Sequence, residues 1–310
     1  MQASVFILSY PNATGLPPGI TSLRRAFEQW LGLCDHITRA GGTILLLDPA
    51  TSEADTATTS ARTDLLATAR LGGVFVGARP DGSADALFLR GRGKEAPSPA
   101  ESDPLCAQLR RFGLRLRDTS HSYGGQAEVI GLPRNRYILT YGPHTDAATC
   151  DEVAACLPLG SHILRVEVSR DSGLSAITYL QSRGGSSILL FDSSVMQHVT
   201  FAQIATFVGD KVQVISLGSD DAAAGATQIM SVHGTALVPP GVSTTVRGQL
   251  WRMGFQVVEV DLSALGGPEV GIGPRAFAIA WPQCLLDDTL PTYASRRAEL
   301  FRHLEGLPEA

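Results

Sequence analysis

The sequence lacks the features of a nucleic-acid-binding or membrane-spanning protein. With 25 basic and 30 acidic residues, its formal net charge is −5, so it has no positive excess for binding nucleic acid. No apolar run approaches the length of a membrane span, and the longest, such as Thr43–Leu47, have the length of a buried strand. The N-terminal residues lead directly into a predicted strand, so we expect no signal peptide.

Cysteine is scarce and scattered. The five cysteines form no Cys-x-x-Cys pair, and their odd number and irregular spacing argue against a disulfide framework or a zinc site. The histidines also lack a partner at metal-binding spacing on a helix. We therefore expect an intracellular protein of a reducing compartment, cytoplasm or organelle matrix (mitochondrion included), with no metal and no other cofactor. The cysteines are Cys34, Cys106, Cys150, Cys156 and Cys284.

One pattern occurs five times along the chain: an amphipathic helix, a glycine and a short apolar strand. The glycines are Gly41, Gly113, Gly160, Gly209 and Gly254. The last four are spaced by 47, 49 and 45 residues, and the first interval is longer because it holds an insertion. Each glycine stands where the end of a helix requires a positive φ. Similarity at this period indicates a repeat architecture.

Further short strands precede the helices, so each repeat is predicted to be strand–strand–helix–strand. The first repeat has only one strand ahead of its helix, and a strand at 276–281 is expected to supply the missing one, so that a ring closes without a free edge. A helix at 293–304 is expected to pack on the outside. With 44% hydrophobic residues for a core, we predict one domain, residues 1–310, with five-fold pseudosymmetry and the form of an α/β propeller.

Four segments resemble motifs of one known family in their order and spacing. Tyr123-Gly-Gly-Gln-Ala-Glu resembles Phe-Glu-Gly-x-Gly-Asp, and Tyr141-Gly-Pro-His-Thr-Asp resembles Gly-Tyr-Gly-x-Arg-Thr-Asp. Residues 241–261 resemble a Leu-x-x-x-Gly-Tyr-x-Val run, and Gly271-Ile-Gly-Pro-Arg-Ala resembles Gly-Gly-Gly-x-Arg-Cys. Over nearly the whole chain, the pattern resembles the pentein fold of arginine deiminases, dimethylarginine dimethylaminohydrolases and amidinotransferases.

The resemblance implies a catalytic site that has lost its reactive groups. Members of the family attack a guanidinium carbon with a cysteine thiolate, assisted by a histidine and an orienting carboxylate. In this sequence the nucleophile falls on Ala276, the histidine on Ser175 and the aspartate on Ile177. The nearest thiol to the nucleophile position, Cys284, lies eight residues further along.

The resemblance also implies a remnant of a substrate-binding site. Glu128 takes the position of the substrate carboxylate, His144 that of the arginine in Arg-Thr-Asp, and Arg275 that of the arginine before the nucleophile. Glu128 is placed on a predicted strand facing the centre of the ring. It either binds a cation or pairs with an arginine of the chain, such as Arg79 or Arg275.

The resulting hypothesis is a non-catalytic, amidinotransferase-like protein that serves as an accessory or structural subunit of a larger assembly, with other protein subunits as partners. One alternative is a guanidine-modifying hydrolase or amidinotransferase, if Ala276 replaces a natural cysteine by engineering. Another is a binding module for an arginine-like small molecule. The subunit hypothesis predicts exposed apolar surface at Leu16, at 65–66 and at Leu300 and Phe301, whereas the binding hypothesis predicts an unpaired, accessible Glu128.

Overall fold

The computed structural model describes residues 2–9, 11, 22–47, 72–78, 84–92, 106–169, 176–265, 277–282 and 290–308. The described strands are β1 Gln2–Ser9, β2 Thr43–Leu47, β3 Gly72–Ala78, β4 Ala84–Arg92, β5 Arg115–Ser122, β6 Val129–Leu132, β7 Arg136–Tyr141, β8 His162–Val168, β9 Ile177–Gln181, β10 Ser187–Phe191, β11 Met196–Gln197, β12 Val212–Ser216, β13 Met230–Val232, β14 Thr235–Val238, β15 Gln256–Glu259 and β16 Phe277–Pro282. The described helices are α1 Leu23–Arg39, α2 at 106–111, α3 Thr149–Ala154, α4 Phe201–Val208, α5 Ser219–Ala223, α6 Thr244–Arg252 and α7 Tyr293–Glu305.

The described strands form five small sheets, one for each predicted repeat. In each sheet a central strand pairs with an antiparallel neighbour on one side and with a parallel strand on the other, and the parallel strand follows a helix. The central strands are β1, β4, β7, β10 and β14, and they define the first to the fifth sheet. The third sheet has a fourth strand, because β11 pairs with the outer edge of β8.

The first sheet joins the N-terminal strand β1 to β16, the last described strand. The strand expected at 276–281 is found as β16, and it runs antiparallel to β1 over six residue pairs from Gln2–Pro282 to Ile7–Phe277. On its other side β1 pairs in parallel with β2. The N-terminal strand is therefore central in its sheet, and neither of its edges is left free for another chain.

The hydrophobic core is divided into five clusters, each lying between two consecutive sheets. Val5 packs with Phe88 between the first and second sheets, and Leu89 with Leu139 between the second and third. Three further clusters join the third sheet to the fourth, the fourth to the fifth and the fifth back to the first. The sheets of the described residues thus follow one another in a closed cyclic order.

The five repeat glycines all have the backbone conformation that the sequence predicts. Their φ angles are 95° at Gly41, 85° at Gly113, 78° at Gly160, 81° at Gly209 and 84° at Gly254. At the end of α6, the N–H of residue 254 binds the carbonyl of Trp251 and the N–H of Phe255 that of Leu250. These bonds satisfy the last carbonyls of the helix and turn the chain into β15.

Several boundaries differ from those predicted. Glu128, expected on a strand, lies in a short 3₁₀ turn at 126–128, a second such turn occupies 226–228, and the strands that follow begin at Val129 and Met230. In the short helix α5, Asp221 accepts hydrogen bonds from the backbone N–H and the hydroxyl of Ser243. Strand β11 has only two residues and no periodicity that could predict it.

The C-terminal helix α7 packs against α1. Tyr293 donates a hydrogen bond to Asp35 at 2.8 Å, and Leu300 is buried in the cluster that joins the first and fifth sheets. Phe301 packs against the same cluster, with the guanidinium of Arg297 4.5 Å from its ring centre. The expectation of an exposed apolar face at Leu300 and Phe301 is therefore wrong, because that face is covered by α1. Within the described residues, every helix is too short or too polar to span a membrane.

Candidate functional site

Glu128 lies in the turn that connects β5 to β6, not on a strand. Gly125 has φ 95° and ψ −161°, a conformation that a side chain disfavours, and it redirects the chain at this point. The following 3₁₀ turn closes when the N–H of Glu128 donates to the carbonyl of Gly125 at 3.1 Å. The alternation of apolar residues that predicted a strand carries no signal for this turn, so Glu128 was wrongly predicted to lie on a strand.

The segment that follows β7 is bound tightly to this turn. The N–H of Gly124 donates to the hydroxyl of Thr145 at 2.8 Å, and the N–H of Ser122 donates to Asp146 at 3.0 Å. Thr149, at the start of α3, donates its hydroxyl hydrogen to the carbonyl of Ser122 at 2.6 Å. The two segments that resemble family motifs therefore form one unit, at the edge of the sheet where β6 begins and β7 ends.

Gly124 is the position at which the side chains of this unit converge. A Cβ built on this glycine would lie 3.0 Å from Cβ of His144, 3.2 Å from Oγ1 of Thr145 and 3.3 Å from Cγ of Glu128. A larger residue would push these neighbours apart. Of the three residues expected to bind substrate, the structure brings together Glu128 and His144, and Arg275 lies outside the described residues.

The carboxyl group of Glu128 is desolvated and lacks a hydrogen-bond partner among the described side chains. Protein surrounds its carboxyl group, although the residue keeps some accessible surface, and this desolvation raises its pKa from 4.5 to about 8. Among the described residues, no side chain forms a hydrogen bond or an ion pair with its carboxyl group. Arg79 and Arg275, its two expected partners, lie outside the described residues.

The other acids at this end of the sheets are satisfied. Burial raises the pKa of Glu152, but hydrogen bonds from His121 and from the N–H of Ser120 outweigh it, so that the pKa is lowered overall. Asp118 forms a bidentate pair with Arg90. Glu128 thus differs from its neighbours in having a carboxyl group that is both desolvated and unpaired within the described chain.

Tyr123 lies beside Glu128 and was not singled out as a site residue by the sequence. Its hydroxyl is buried and has no hydrogen-bond partner in the described part of the chain. Burial raises its pKa well above the usual range, and the charge of Glu128 adds to this effect. The hydroxyl oxygen lies against Gly73 of β3, where a Cβ would approach it to 2.4 Å, which is too close for any side chain. In the sequence, the pair Gly72-Gly73 was the signal for this close packing.

The charge of Glu128 acts on the thiol of Cys150, in α3. Burial is the main cause that raises its pKa to about 11, and the charge of Glu128 contributes. Its sulfur is therefore protonated near neutral pH and is a poor nucleophile. Cys156 also has a raised pKa because of burial.

Ile177, at the position of the orienting aspartate, is a core residue. It opens β9, pairs with Phe191 across the sheet and packs in the cluster between the third and fourth sheets. A carboxylate there would be desolvated by apolar neighbours. Ser175 and Ala276, at the positions of the base and the nucleophile, lie outside the described residues, as does Cys284. In the described part of the chain, no group of three or more metal-ligating side chains occurs.

No protein-family model matches the sequence, and no curated protein matches it. Solved structures do match. The N-terminal domain of ArgZ, an arginine dihydrolase from the ornithine–ammonia cycle in cyanobacteria, in a Cys→Ser mutant bound to substrate, superposes with a TM-score of 0.68. The match has 17% identity and covers 90% of this chain and 99% of that one. The chain has a pentein fold.

Two more pentein structures support this assignment. A Cys→Ala mutant of AgrE bound to L-arginine matches with a TM-score of 0.70 and 17% identity, over 93% of this chain and 41% of that one. A Cys→Ser mutant of DDAH from Pseudomonas aeruginosa, in complex with citrulline, matches with a TM-score of 0.64 and 16% identity, over 90% of this chain and the whole of that one. At these identities the likeness establishes the pentein fold alone.

Proposed function

We propose that this pentein chain binds a small cationic compound of the guanidino class, with Glu128 as the negatively charged partner, and that it does not transform that compound. The observation that carries the proposal is the carboxyl group of Glu128, which is desolvated and unpaired among the described residues, on a residue that keeps some accessible surface. This is the feature that distinguishes the binding hypothesis from the subunit hypothesis.

A guanidinium group suits this carboxyl group in charge and in shape. Its parallel N–H groups can donate two hydrogen bonds to one carboxylate, and such charge-assisted pairs are stronger than neutral ones. A cation also restores the ionised form that burial disfavours, so binding would release a proton at neutral pH. The compounds bound in the similar structures, L-arginine and citrulline, make arginine a suitable probe.

We propose that the chain does not catalyse a reaction because it lacks a reactive nucleophile and a neighbouring base. The motif places alanine at position 276, which has no attacking atom, and the Cys150 thiol near Glu128 is held protonated by its raised pKa. Catalysis by a thiol needs a thiolate and a neighbouring base. The sequence offers Ser175 at the position of that base.

The proposal is tested by calorimetric titration of L-arginine into the full chain at pH 8.5. We expect saturable binding that is weakened at least about tenfold in Glu128→Gln, since a hydrogen bond to a charged group contributes about 1.5–3 kcal/mol. Binding is also expected to weaken by about 20-fold between pH 8.5 and pH 6.5, because a carboxyl group with a pKa of about 8 is mostly protonated at the lower pH.

Glu299→Gln is the matched control, because this glutamate lies on the outer helix α7 and pairs with Arg296. It should leave the affinity unchanged. An arginine affinity that is equal in the wild type and in Glu128→Gln would contradict the proposal. So would a complete lack of binding at millimolar arginine, the result expected if an arginine of the chain occupies Glu128.

The accessory-subunit function is a second candidate, and one observation favours it. Three large apolar side chains of the described residues are exposed: Leu159 fully, Trp251 by 73% and Phe201 by 51%. Such residues are frequent in protein interfaces. Size-exclusion chromatography of native extract separates the two candidates. A chain that elutes alone at 32.8 kDa and binds arginine through Glu128 would exclude the subunit function.

A further inference from the structure

A second cleft lies at the opposite ends of the strands from Glu128. Glu128 precedes β6, whereas this cleft is formed by the hairpin turns at the far ends of two other sheets. It has a volume of about 620 Å³. Its walls come from the turn between β9 and β10, from the turn between β13 and β14, and from the start of β1 with the residues after α1. It is therefore distinct from the site proposed above.

The side chains of this cleft are basic or hydroxylic. Arg183 supplies a guanidinium group and His233 an imidazole ring. The hydroxyl side chains are Ser4, Ser182 and Ser231. Among the described residues that line the cleft none is acidic, although the chain as a whole is acidic. Within the described residues, neither Arg183 nor His233 forms an ion pair with a carboxylate. The described lining of the cleft thus has positive charge at Arg183 and no carboxylate to balance it.

The serines of the cleft differ in how accessible they are. Ser182 is only 5% exposed and its hydroxyl lies below the accessible surface, so it forms part of the wall. The N–H of this serine donates to the carbonyl of Ser186 at 2.8 Å, which fixes the turn between β9 and β10. Ser4 and Ser231 are partly exposed, so their hydroxyls are the ones open to a ligand.

The backbone holds the two basic residues next to each other. His233 and Gly234 form a two-residue hairpin turn with φ angles of 45° and 86°, the conformation of a type I′ turn. A Cβ on Gly234 would lie 2.6 Å from the backbone nitrogen of Arg183, so only glycine allows the two turns to meet. On its other side, the His233 ring lies against Gly41.

The end of α1 lies beside the cleft. The carbonyls of His36, Ile37 and Thr38 accept hydrogen bonds from the backbone N–H groups of Ala40, Gly42 and Gly41, respectively. These bonds reduce the negative charge that the end of the helix presents to the cleft. Arg39, in the same turn, pairs with Asp35 at 3.6 Å.

We propose that this cleft is a binding site for a small oxyanionic compound, with a carboxylate or phosphate group held between Arg183 and His233. The arginine would donate paired hydrogen bonds to two oxygens of the anion. The hydroxyls of Ser4 and Ser231 would complete the shell. The site needs neither Glu128 nor a guanidino ligand, so it stands apart from the proposed function.

The test is calorimetric titration of inorganic phosphate and, separately, of citrate into the full chain at pH 7 in 0.1 M sodium chloride. We expect saturable binding of at least one of them, weakened at least tenfold in Arg183→Gln. His233→Asn, which suits a positive φ, should weaken it by a smaller factor. Binding of citrate alone assigns a carboxylate, and binding of phosphate alone assigns a phosphate.

Arg134→Gln is the matched control, because this exposed arginine also stands at positive φ in a hairpin, between β6 and β7, but does not line the cleft. It should leave binding unchanged, as should Glu128→Gln. The proposal is overturned if neither anion binds at 10 mM, or if Arg134→Gln weakens binding as much as Arg183→Gln. Thermal melting of each variant verifies that it is folded.

Discussion

At the scale of single residues, Glu128 shows how the local structure around a selected position can be predicted incorrectly. The motif resemblance selected this residue together with His144, and the side chains of both lie close to Gly124. The strand assigned to it was wrong, because the turn depends on the positive φ of Gly125 and not on apolar alternation. Its raised pKa could not be predicted either, since desolvation depends on segments that are distant in sequence.

The raised pKa of Glu128 makes folding stability depend on pH. The folded-state pKa of about 8 lies above the value of 4.5 for an exposed glutamate, so the folded chain holds this proton more tightly than the unfolded chain. The resulting cost is absent below about pH 4.5, grows as the pH rises to 8 and is constant above that. Glu128→Gln removes it, so the variant should gain stability over the wild type across this interval.

We expect that gain to reach at most about 4 kcal/mol at pH 8, discounted because the residue keeps some accessible surface. Thermal melting of both proteins at pH 4.5, 6, 7 and 8 measures it. A difference in melting temperature that stays constant across these values would mean that the carboxyl group is not desolvated. The Glu299→Gln control should not diverge from the wild type in this direction, because the pKa of Glu299 is lowered by its hydrogen bond with Arg296.

At the scale of elements, the helix ends were the most predictable part of the chain. A glycine at the end of an amphipathic helix is favoured because it adopts a positive φ, and all five repeat glycines have one. Four of them follow a helix closely, whereas Gly160 lies six residues beyond the end of α3. The starts of β6 and β13 were less predictable, because 3₁₀ turns and strands both accept short apolar segments. Ile177 was placed by motif alignment, yet whether it faces a site or the core is decided by the packing of two sheets.

Gly248, inside α6, and Gly254, just after its end, should respond in opposite ways to the same substitution. Gly254 has φ 84°, so Gly254→Ala should destabilise the chain by about 1–2 kcal/mol through backbone strain alone, because only ordinary contacts surround it. Gly248 lies inside the helix with open space around it, so Gly248→Ala should stabilise the chain by about 0.5–1 kcal/mol.

Urea denaturation of the two variants measures this difference, and Gly254→Asn should recover part of the loss since asparagine tolerates positive φ. If both alanine variants shift the midpoint in the same direction, residue 254 does not end the helix in the conformation described here.

At the scale of the whole molecule, the first and last described strands, β1 and β16, meet in one sheet. The repeat pattern and the unpaired first strand were sufficient to predict that partner for β1. The five inter-sheet clusters then give each sheet two neighbours, and segments far apart in sequence meet at the strand ends. Sites at opposite strand ends can therefore carry different ligand chemistry, acidic at Glu128 and basic at Arg183, within one fold.

The pentein fold does not by itself imply that the chain catalyses a reaction. The similar structures include an arginine dihydrolase, but a shared fold does not carry a reaction, which depends on groups at the site. With alanine at position 276, serine at position 175 and the Cys150 thiol protonated by its raised pKa, we expect no turnover of arginine, agmatine or methylated arginines. Citrulline, ornithine and ammonia should stay at the level of a protein-free blank during incubation at pH 8.

Ala276→Cys provides the sharper test of the same prediction. It restores an attacking atom at the position of the nucleophile, yet Ser175 cannot act as the base that a thiol needs, so this variant should also be inactive. Product formed by the wild-type chain, and abolished in Glu128→Gln, would show that the site is catalytic and that the nucleophile lies elsewhere in the sequence. Product formed only by Ala276→Cys would mean that position 276 alone separates this chain from an active enzyme, and that Ser175 does not stand at the position of an essential base.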